Sequence, residues 1–450
     1  MGQDTIYKKA TKLEEIDNAV RFDVPVGPDH EFYTDFFDVR GDFEDKMIYR
    51  SLNVSKKFVF DSSINRGNKT LLFLAGMRGS GKTSELEKIA KKLNNKNCFF
   101  CITCNLDEGL DLNDMEYMDI LIYQLERLFK QLQKADMELD EQIVGSLQKW
   151  FDERVAEVNK AIKNESGFEI EVSAGTPSLL SFLGITTKLK NNLQGSKENA
   201  QKIRTVFKNN FTDFAKKINE FFEWVNSVLR ANGKAQELLF IVDGLEKTAT
   251  LEIRKKIILE ESNRIRQIKA NTIFTLPIEL MPETRRIEVN NNMVISFPFV
   301  KIRERSGVIV EDAVERFNEF VYKRIDQKLF DCADTVRKAI LYSGGSPREL
   351  LRILQYAYMY SDDEAMVLDS AAINKAISKL AAQTAQYVSV KDLEKLKQLK
   401  EDNDAGKSIP YDEDCQILLE KLIIMEYNDG NYKRVNPIVE ESQLYKQYVG

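Results

Sequence analysis

The sequence predicts an α/β protein: a parallel β-sheet with helices on both faces, followed by an all-helical lid subdomain and a C-terminal winged helix. Three observations support this fold class. Short apolar runs of strand length alternate with helical patterns, which is typical of a parallel sheet covered on both faces. A glycine-rich turn directly follows the first run. Residues 309–385 are helical in pattern throughout, and residues 411–450 combine an apolar helix from Ile417 to Tyr427 with a hairpin signal whose turn is at 428–431.

Five apolar runs are predicted as the strands of the sheet, because each has the length of a buried strand. They are residues 71–75, 99–104, 238–242, 272–275 and 293–297. Between and before them, helical spacing of apolar residues predicts helices at about 43–52, 84–93 and 114–135.

Residues 136–235 interrupt this alternation and are predicted as a mostly helical insertion. Residues 168–172 alternate as a short strand within it. Between 200 and 230, apolar residues recur every three or four positions, which predicts one long helix of roughly 40–45 Å. This stripe either packs on the domain or forms an arm that binds a partner.

Composition excludes several classes of protein. The chain has 450 residues and a net charge of −6, so it is not a polycation that coats nucleic acid or lipid. His30 is the only histidine. Metal centres with two or more histidine ligands are therefore excluded, and Ser–His–Asp catalysis is a poor candidate. No apolar run approaches the roughly 18–20 residues of a membrane span. We expect a cytoplasmic protein that does not bind membranes.

The five cysteines do not form a disulfide framework. Cys98, Cys101 and Cys104 have the spacing of an iron–sulfur motif. On a strand, however, Cys98 and Cys104 would face one side and Cys101 the other, so the three could not share a cluster.

The segment from Gly76 to Thr83 matches the phosphate-binding pattern G-x-x-x-x-G-K-[ST] in full. Glycines allow the backbone to curl so that its N–H groups surround phosphate oxygens. Lys82 supplies a positive charge to the phosphates, the Thr83 hydroxyl is a ligand for Mg²⁺, and the helix that follows adds its positive end. The nucleotide-binding residues predicted from this pattern are Gly76, Gly79, Ser80, Gly81, Lys82, Thr83 and Ser84.

The strand at 238–242 ends in Asp243, which resembles a Walker B strand. An acid at the carboxyl end of a buried parallel strand can hold Mg²⁺ beside the phosphate loop. Position 244 is glycine, so the usual second acid is missing and Glu246 is the nearest replacement. Glu246 either polarises the attacking water or is a solvated loop acid, and fast hydrolysis is therefore in doubt.

The order of these motifs resembles the AAA+/STAND division of P-loop ATPases, and within it the origin-recognition-like ATPases that carry a helical lid and a winged helix. The resemblance covers about residues 65–110, 236–300 and 309–450. It implies a P-loop NTPase sheet, ATP and Mg²⁺ as ligands, and Thr275 as the residue that senses the γ-phosphate.

The same resemblance assigns a lid motif to the segment from Ser343 to Leu350. It implies that Arg348 is a lid arginine that contacts the γ-phosphate, and that Pro347 abuts the nucleotide base. A plain helix start, with Ser346 as N-cap and Pro347 in the first turn, explains the same residues. Both interpretations can hold together.

The sequence thus predicts four regions: an entry segment at 1–64, a P-loop ATPase domain at 65–305, a helical lid at 306–388 and a winged-helix-like domain at 389–450. The leading hypothesis is a slow Mg-ATP switch that controls self-assembly or a protein effector. The resemblance allows a role in bacterial antiphage defence. A DNA-associated ATPase and a scaffold that does not hydrolyse ATP are the alternatives.

Nucleic-acid binding is possible but not favoured. Residues 385–450 contain nine Lys or Arg against thirteen Asp or Glu, whereas a winged helix that reads DNA needs a basic face. Lys433 and Arg434 are the only basic pair on the predicted wing.

Overall fold

The computed structural model describes residues 8–137, 141–162, 178–286, 292–427 and 432–450, except 42, 44, 62 and 64–68. Its centre is a parallel five-stranded sheet with the strand order β2-β3-β4-β1-β5. The strands are β1 Leu71–Gly76, β2 Phe99–Asn105, β3 Glu237–Asp243, β4 Asn271–Pro277 and β5 Asn292–Ser296. All five predicted strands are confirmed.

The strand register brings the predicted site residues to one edge of the sheet. β1 lies between β4 and β5, and β4 separates it from β3. Leu74 pairs with Thr275, and Gly76 pairs with Pro277. Asp243 is the last residue of β3, so the phosphate loop and Asp243 leave the same edge with the β4 strand between them.

Helices cover both faces of this sheet. Those of the amino-terminal segment and the sheet domain, the insertion included, are α1 Ile16–Ala19, α2 Lys46–Ser51, α3 Lys82–Leu93, α4 Leu106–Gly109, α5 Tyr117–Lys134, α6 Glu141–Ile162, α7 Leu179–Leu193, α8 Lys197–Asn209, α9 Phe211–Ala231, α10 Leu251–Lys255 and α11 Ser262–Gln267. Leu72 and Leu74 pack with α2 and α3 on one face, whereas Phe73 packs with α5 and the insertion on the other. This is the predicted P-loop NTPase α/β fold, with a helical extension.

The insertion is helical as predicted, but its long apolar stripe is not one helix. Asn210 has non-helical dihedral angles (φ −110°, ψ 18°) and separates α8 from α9. Its side-chain amide donates to the Val206 carbonyl and accepts from Arg154, so the break is fixed by side-chain hydrogen bonds. The stripe is buried in the core on both sides of the break. The strand predicted at 168–172 lies outside the described residues.

The helical region predicted as the lid, and called the lid below, consists of α12 Glu311–Arg324, α13 Ala333–Tyr342, α14 Pro347–Met359 and α15 Ser370–Ala385. The first part of the amino-terminal segment packs on these helices, whereas its helix α2 packs on the sheet. Ala10 and Ile16 belong to the lid core, and Phe36 lies between Phe317 and Phe320.

The C-terminal region contains α16 Val390–Asp404, α17 Glu413–Glu420, the antiparallel strands β6 Ile424–Tyr427 and β7 Tyr432–Val435, and the short helices α18 Pro437–Glu440 and α19 Gln443–Tyr448. The prediction of one helix from Ile417 to Tyr427 was wrong. Leu422 adopts a positive φ of 56°, which ends the helix and lets the chain reverse into β6. The hairpin is confirmed, and its predicted turn at 428–431 lies outside the described residues.

The predicted basic pair on this hairpin is not a basic surface. Lys433 and Glu426 lie on facing strands, are both 3% exposed, and form an ion pair of 3.2 Å. Arg434 is partly buried beside Glu440. Lys433 is therefore not an exposed basic residue, and the pair does not form the basic face that reading DNA needs.

The three clustered cysteines are divided between the two faces of the sheet, although not as predicted. β2 begins at Phe99, so Cys98 lies before the strand and packs on the same face as Cys101. Cys104 packs on the opposite face. No helix among the described residues is long and apolar enough to cross a bilayer.

Candidate functional site

The phosphate loop connects β1 to α3, and its glycines are required by local geometry. A Cβ atom on Gly76 would lie 2.7 Å from the carbonyl oxygen of Phe297, the residue after β5, so there is no space for a side chain there. Gly79 and Gly81 have φ values of 86° and 94°, which favour glycine. α3 begins at Lys82, two residues earlier than predicted, and Gly81 leaves its first turn without a side-chain cap.

Lys82 is buried and folds back over this loop. Its ammonium donates to the carbonyl oxygens of Gly76 and Met77 at 2.9 and 3.0 Å. Glu246 Oε1 lies 3.3 Å from the same nitrogen. The positive charge is thus held at the mouth of the loop by two backbone dipoles and one carboxylate.

Thr83 and Asp243 join the loop to the Asp243 strand. The Thr83 hydroxyl donates to Asp243 Oδ2 at 2.5 Å, while Asp243 Oδ1 is buried with no hydrogen-bond partner among the described residues. Burial, together with the charge of Glu246, raises the pKa of Asp243 to about 6. The two side chains predicted to hold Mg²⁺ are therefore in contact, with one carboxylate oxygen still to be satisfied.

Glu246 is not a solvated loop acid, and that alternative is wrong. Its side chain is 9% exposed, and Oε2 has no hydrogen-bond partner in the described part of the chain. Burial alone would raise the pKa of Glu246, but the nearby Lys82 outweighs burial and lowers it. Glu246 is therefore an ionised carboxylate at the site.

Thr275 is fully buried one strand away from the loop. Its hydroxyl oxygen accepts hydrogen bonds from the backbone N–H groups of Gly244 and Leu245, at 3.0 and 3.4 Å. It fixes the turn that carries Glu246, and it is not among the residues that line the cleft beside the phosphate loop.

The lid meets the phosphate loop through Ser346 and Arg348. The Ser346 hydroxyl caps α14 by accepting from Glu349 N–H and lies 3.3 Å from the Gly79 carbonyl oxygen. A Cβ atom on Gly79 would lie 3.1 Å from that of Arg348. Burial lowers the pKa of Arg348, as does the neighbouring Arg78, while Glu246 opposes this shift. The helix-start and lid-arginine interpretations are compatible in this geometry.

A cleft of about 130 Å³ lies between the phosphate loop and the lid. The predicted residues Gly79, Gly81, Lys82, Thr83, Ser84, Glu246, Pro347 and Arg348 all line it. Its other wall was missed by sequence reasoning: the amino-terminal segment 21–26, together with Phe320, Arg324 and Leu351 of the lid. Only tertiary folding brings segment 21–26 to the loop, and no motif indicated it.

Arg40 is a second residue that the sequence did not reveal. The residue is 4% exposed. Its guanidinium donates to the carbonyl oxygens of Ser80 and Pro298 at 2.9 and 2.7 Å and lies 4.0 Å from the centre of the Phe297 ring. Burial lowers the pKa of Arg40 to about 10, so the side chain stays cationic at neutral pH. A single arginine in an irregular segment has no periodicity or spacing that could have identified it.

The residues present suit a magnesium–phosphate ligand. Thr83 and Asp243 offer the oxygen donors that Mg²⁺ prefers, and this ion binds through one or two carboxylates plus phosphates and water. The unpartnered Asp243 Oδ1 and the uncapped start of α3 are groups that such a ligand would satisfy. Among the described residues, no group of three or more His, Cys, Asp or Glu forms another metal-binding cluster.

No protein-family model and no curated protein sequence matches the chain. Among solved structures, the Walker-type ATPase PABY2304 of Pyrococcus abyssi is similar to it. The two are 14% identical, the alignment covers 93% of this chain and 98% of that one, and the TM-score is 0.39. A likeness this distant gives no evidence of the function of this chain, which has to be inferred from its own residues.

Proposed function

We propose that this protein binds Mg-ATP between the phosphate loop and the lid and hydrolyses it slowly. The observation that carries the proposal is the 2.5 Å contact between Thr83 and Asp243. It joins a complete phosphate-loop motif to an acid at the end of β3, the strand on the far side of β4, as Mg-nucleotide binding requires.

Each residue of the site has a role in this proposal. The loop from Gly76 to Ser84 surrounds the phosphates, and Lys82 provides charge to them. Thr83 and Asp243 hold Mg²⁺, which when bound neutralises charge on the phosphates. Pro347 and the segment 21–26 contact the base, since they line the cleft beyond the loop.

Glu246 is the proposed residue that orients the attacking water. Its contact with Lys82 supports slow turnover, because a carboxylate that is paired with an ammonium is a weak general base. Thr275 is proposed to relay the presence of the γ-phosphate through the turn that it holds, rather than by lining the cleft.

The proposed role is that of a switch. Arg348 belongs to the lid and lies beside Gly79. The position of the lid would therefore depend on whether the bound nucleotide carries a γ-phosphate. We propose that this movement controls self-assembly or a protein effector. The division into 1–64, 65–305, 306–388 and 389–450, with a winged-helix module at the end, is part of the same proposal.

Calorimetry with ATP and Mg²⁺ tests nucleotide binding. Lys82→Ala should abolish measurable binding, whereas Lys91→Ala, which removes an exposed lysine from the same helix, should leave it unchanged. Equal affinity in wild type and Lys82→Ala would refute the proposal.

Mass measurements with ATP, ADP and no nucleotide test the switch. Binding without turnover and without a change of mass would identify a static scaffold.

A further inference from the structure

A second cavity, of about 250 Å³, lies away from the proposed ATP site. It is bounded by the first residues of β1 and β4, by one face of α5, and by the loop that connects α11 to β4. Phe222, Phe240 and Phe274 contribute an aromatic wall. None of the residues of the proposed ATP site lines it.

Two buried polar side chains line this cavity without a hydrogen-bond partner. Tyr117 and Gln124 are 2% and 4% exposed and lie seven residues apart, on the same face of α5. In the described structure neither the Tyr117 hydroxyl nor the Gln124 amide forms a side-chain hydrogen bond. Buried polar groups are normally satisfied, so these two indicate a ligand or ordered water.

The rim of the cavity is cationic and preformed. Arg266 and Lys269 lie at its edge. The Arg266 guanidinium donates to the Asn263 side chain at 2.8 Å, and neither cation forms an ion pair with a described carboxylate. The Asn219 side chain accepts from Lys269 N–H at 2.7 Å and donates to the Gln267 carbonyl at 2.8 Å, which ties the rim loop to α9. Of the described residues that line the cavity, none is Asp or Glu.

We propose that this cavity binds a compact heteroaromatic anion. The aromatic wall suits a planar ring, and Tyr117 and Gln124 suit a ring edge that both donates and accepts hydrogen bonds. Arg266 and Lys269 suit a carboxylate or phosphate on that ring. The volume lies just below the usual range of ligand pockets, about 300–1,000 Å³, so the ligand is small.

The test uses three probes: orotate and indole-3-acetate for a carboxylate, and uridine monophosphate for a phosphate. Binding is measured by calorimetry and ligand-observed NMR on the full chain with Lys82→Ala, so that the phosphate loop does not contribute. At least one probe should bind, and Gln124→Leu and Lys269→Glu should each weaken it by about tenfold or more. Gln133→Leu, on the exposed side of α5, should have no effect.

Absence of binding by all three probes would overturn the proposal and identify a cavity that holds only water. Binding that neither variant weakens would overturn it as well. Because Lys269 is exposed, Lys269→Glu still decides the matter if Gln124→Leu does not fold. Neither result bears on ATP binding, which is measured on the chain that retains Lys82.

Discussion

Lys82 Nζ lies 3.3 Å from Glu246 Oε1, and the two side chains are only 2% and 9% exposed. The lysine of the phosphate loop is thus paired with the acid that is proposed to orient water. A phosphate must compete with this carboxylate for the ammonium, and the carboxylate can act on water only when the ammonium has another partner. One contact therefore links nucleotide affinity to turnover.

Glu246→Gln should bind ATP more tightly and hydrolyse it more slowly. The neutral amide competes less for Lys82, so affinity should rise by about fivefold. Loss of the carboxylate should lower the hydrolysis rate by about 100-fold. Calorimetry and a phosphate-release assay measure the two effects, with the exposed Glu252→Gln as control. An unchanged hydrolysis rate would exclude Glu246 as the residue that orients water.

Arg348→Ala should reduce discrimination between ATP and ADP. The lid guanidinium is proposed to contact the γ-phosphate, so the ratio of the two affinities should fall by about tenfold. Arg352→Ala on the same helix removes a guanidinium that faces Glu349 at 3.6 Å and should preserve the ratio. Equal loss of affinity for both nucleotides would assign Arg348 a purely structural role.

Arg40→Met should weaken ATP binding although Arg40 need not contact the nucleotide. The substitution leaves the buried carbonyl oxygens of Ser80 and Pro298 without this donor, at a cost of about 1–3 kcal/mol each. The loop would lose its support from the amino-terminal segment. Calorimetry and thermal unfolding, with the exposed Arg50→Met as control, check the prediction. Wild-type ATP affinity in Arg40→Met would contradict it.

Gly345→Ala should destabilise the lid far more than Gly406→Ala. Both glycines have positive φ values, 83° and 70°, and therefore share the backbone cost of about 1–2 kcal/mol. Only at Gly345 would the new Cβ meet another atom, the Val300 carbonyl oxygen, whereas at Gly406 it meets open space. Urea unfolding of both variants measures the difference. Equal losses of stability would show that the backbone around Val300 and the lid rearranges at little cost in free energy.

Stability should fall in acid through Glu116, which ties α5 to α8 and to the turn after α10. It is ion-paired with Lys208 and with Lys256, the latter at 2.6 Å. Burial would raise the pKa of Glu116, but the two lysines outweigh burial and lower it. A depressed folded pKa stabilises the protein above the unfolded value of about 4.5, and this stability is lost as the pH falls through the folded value.

Glu116→Gln should therefore lose about 1–3 kcal/mol at pH 7 and show a flatter decline of stability below pH 4.5. Urea unfolding between pH 3 and 7 measures both effects. Glu198→Gln on α8, where the carboxylate is exposed, is the control. An equally steep acid decline in Glu116→Gln would assign the acid sensitivity to other groups.

The sequence by itself determined the sheet, the phosphate loop and the proximity of Lys82, Thr83 and Asp243 in one site. Strand length and glycine spacing are local, and parallel strands bring their carboxyl ends to one edge. Local pattern was insufficient at Asn210, where side-chain contacts break a continuous stripe, and at Leu422, where the chain reverses into β6.

Tertiary structure alone decided the environment of the site. Arg40 and segment 21–26 reach the phosphate loop from a distant part of the chain, and the burial of Glu246 depends on the turn that Thr275 holds. The sequence predicts Lys433 as part of a basic pair on the hairpin, but Glu426 on the facing strand neutralises its charge. Charge and burial at these positions depend on neighbours that are remote in sequence, and spacing along the chain carries no information about them.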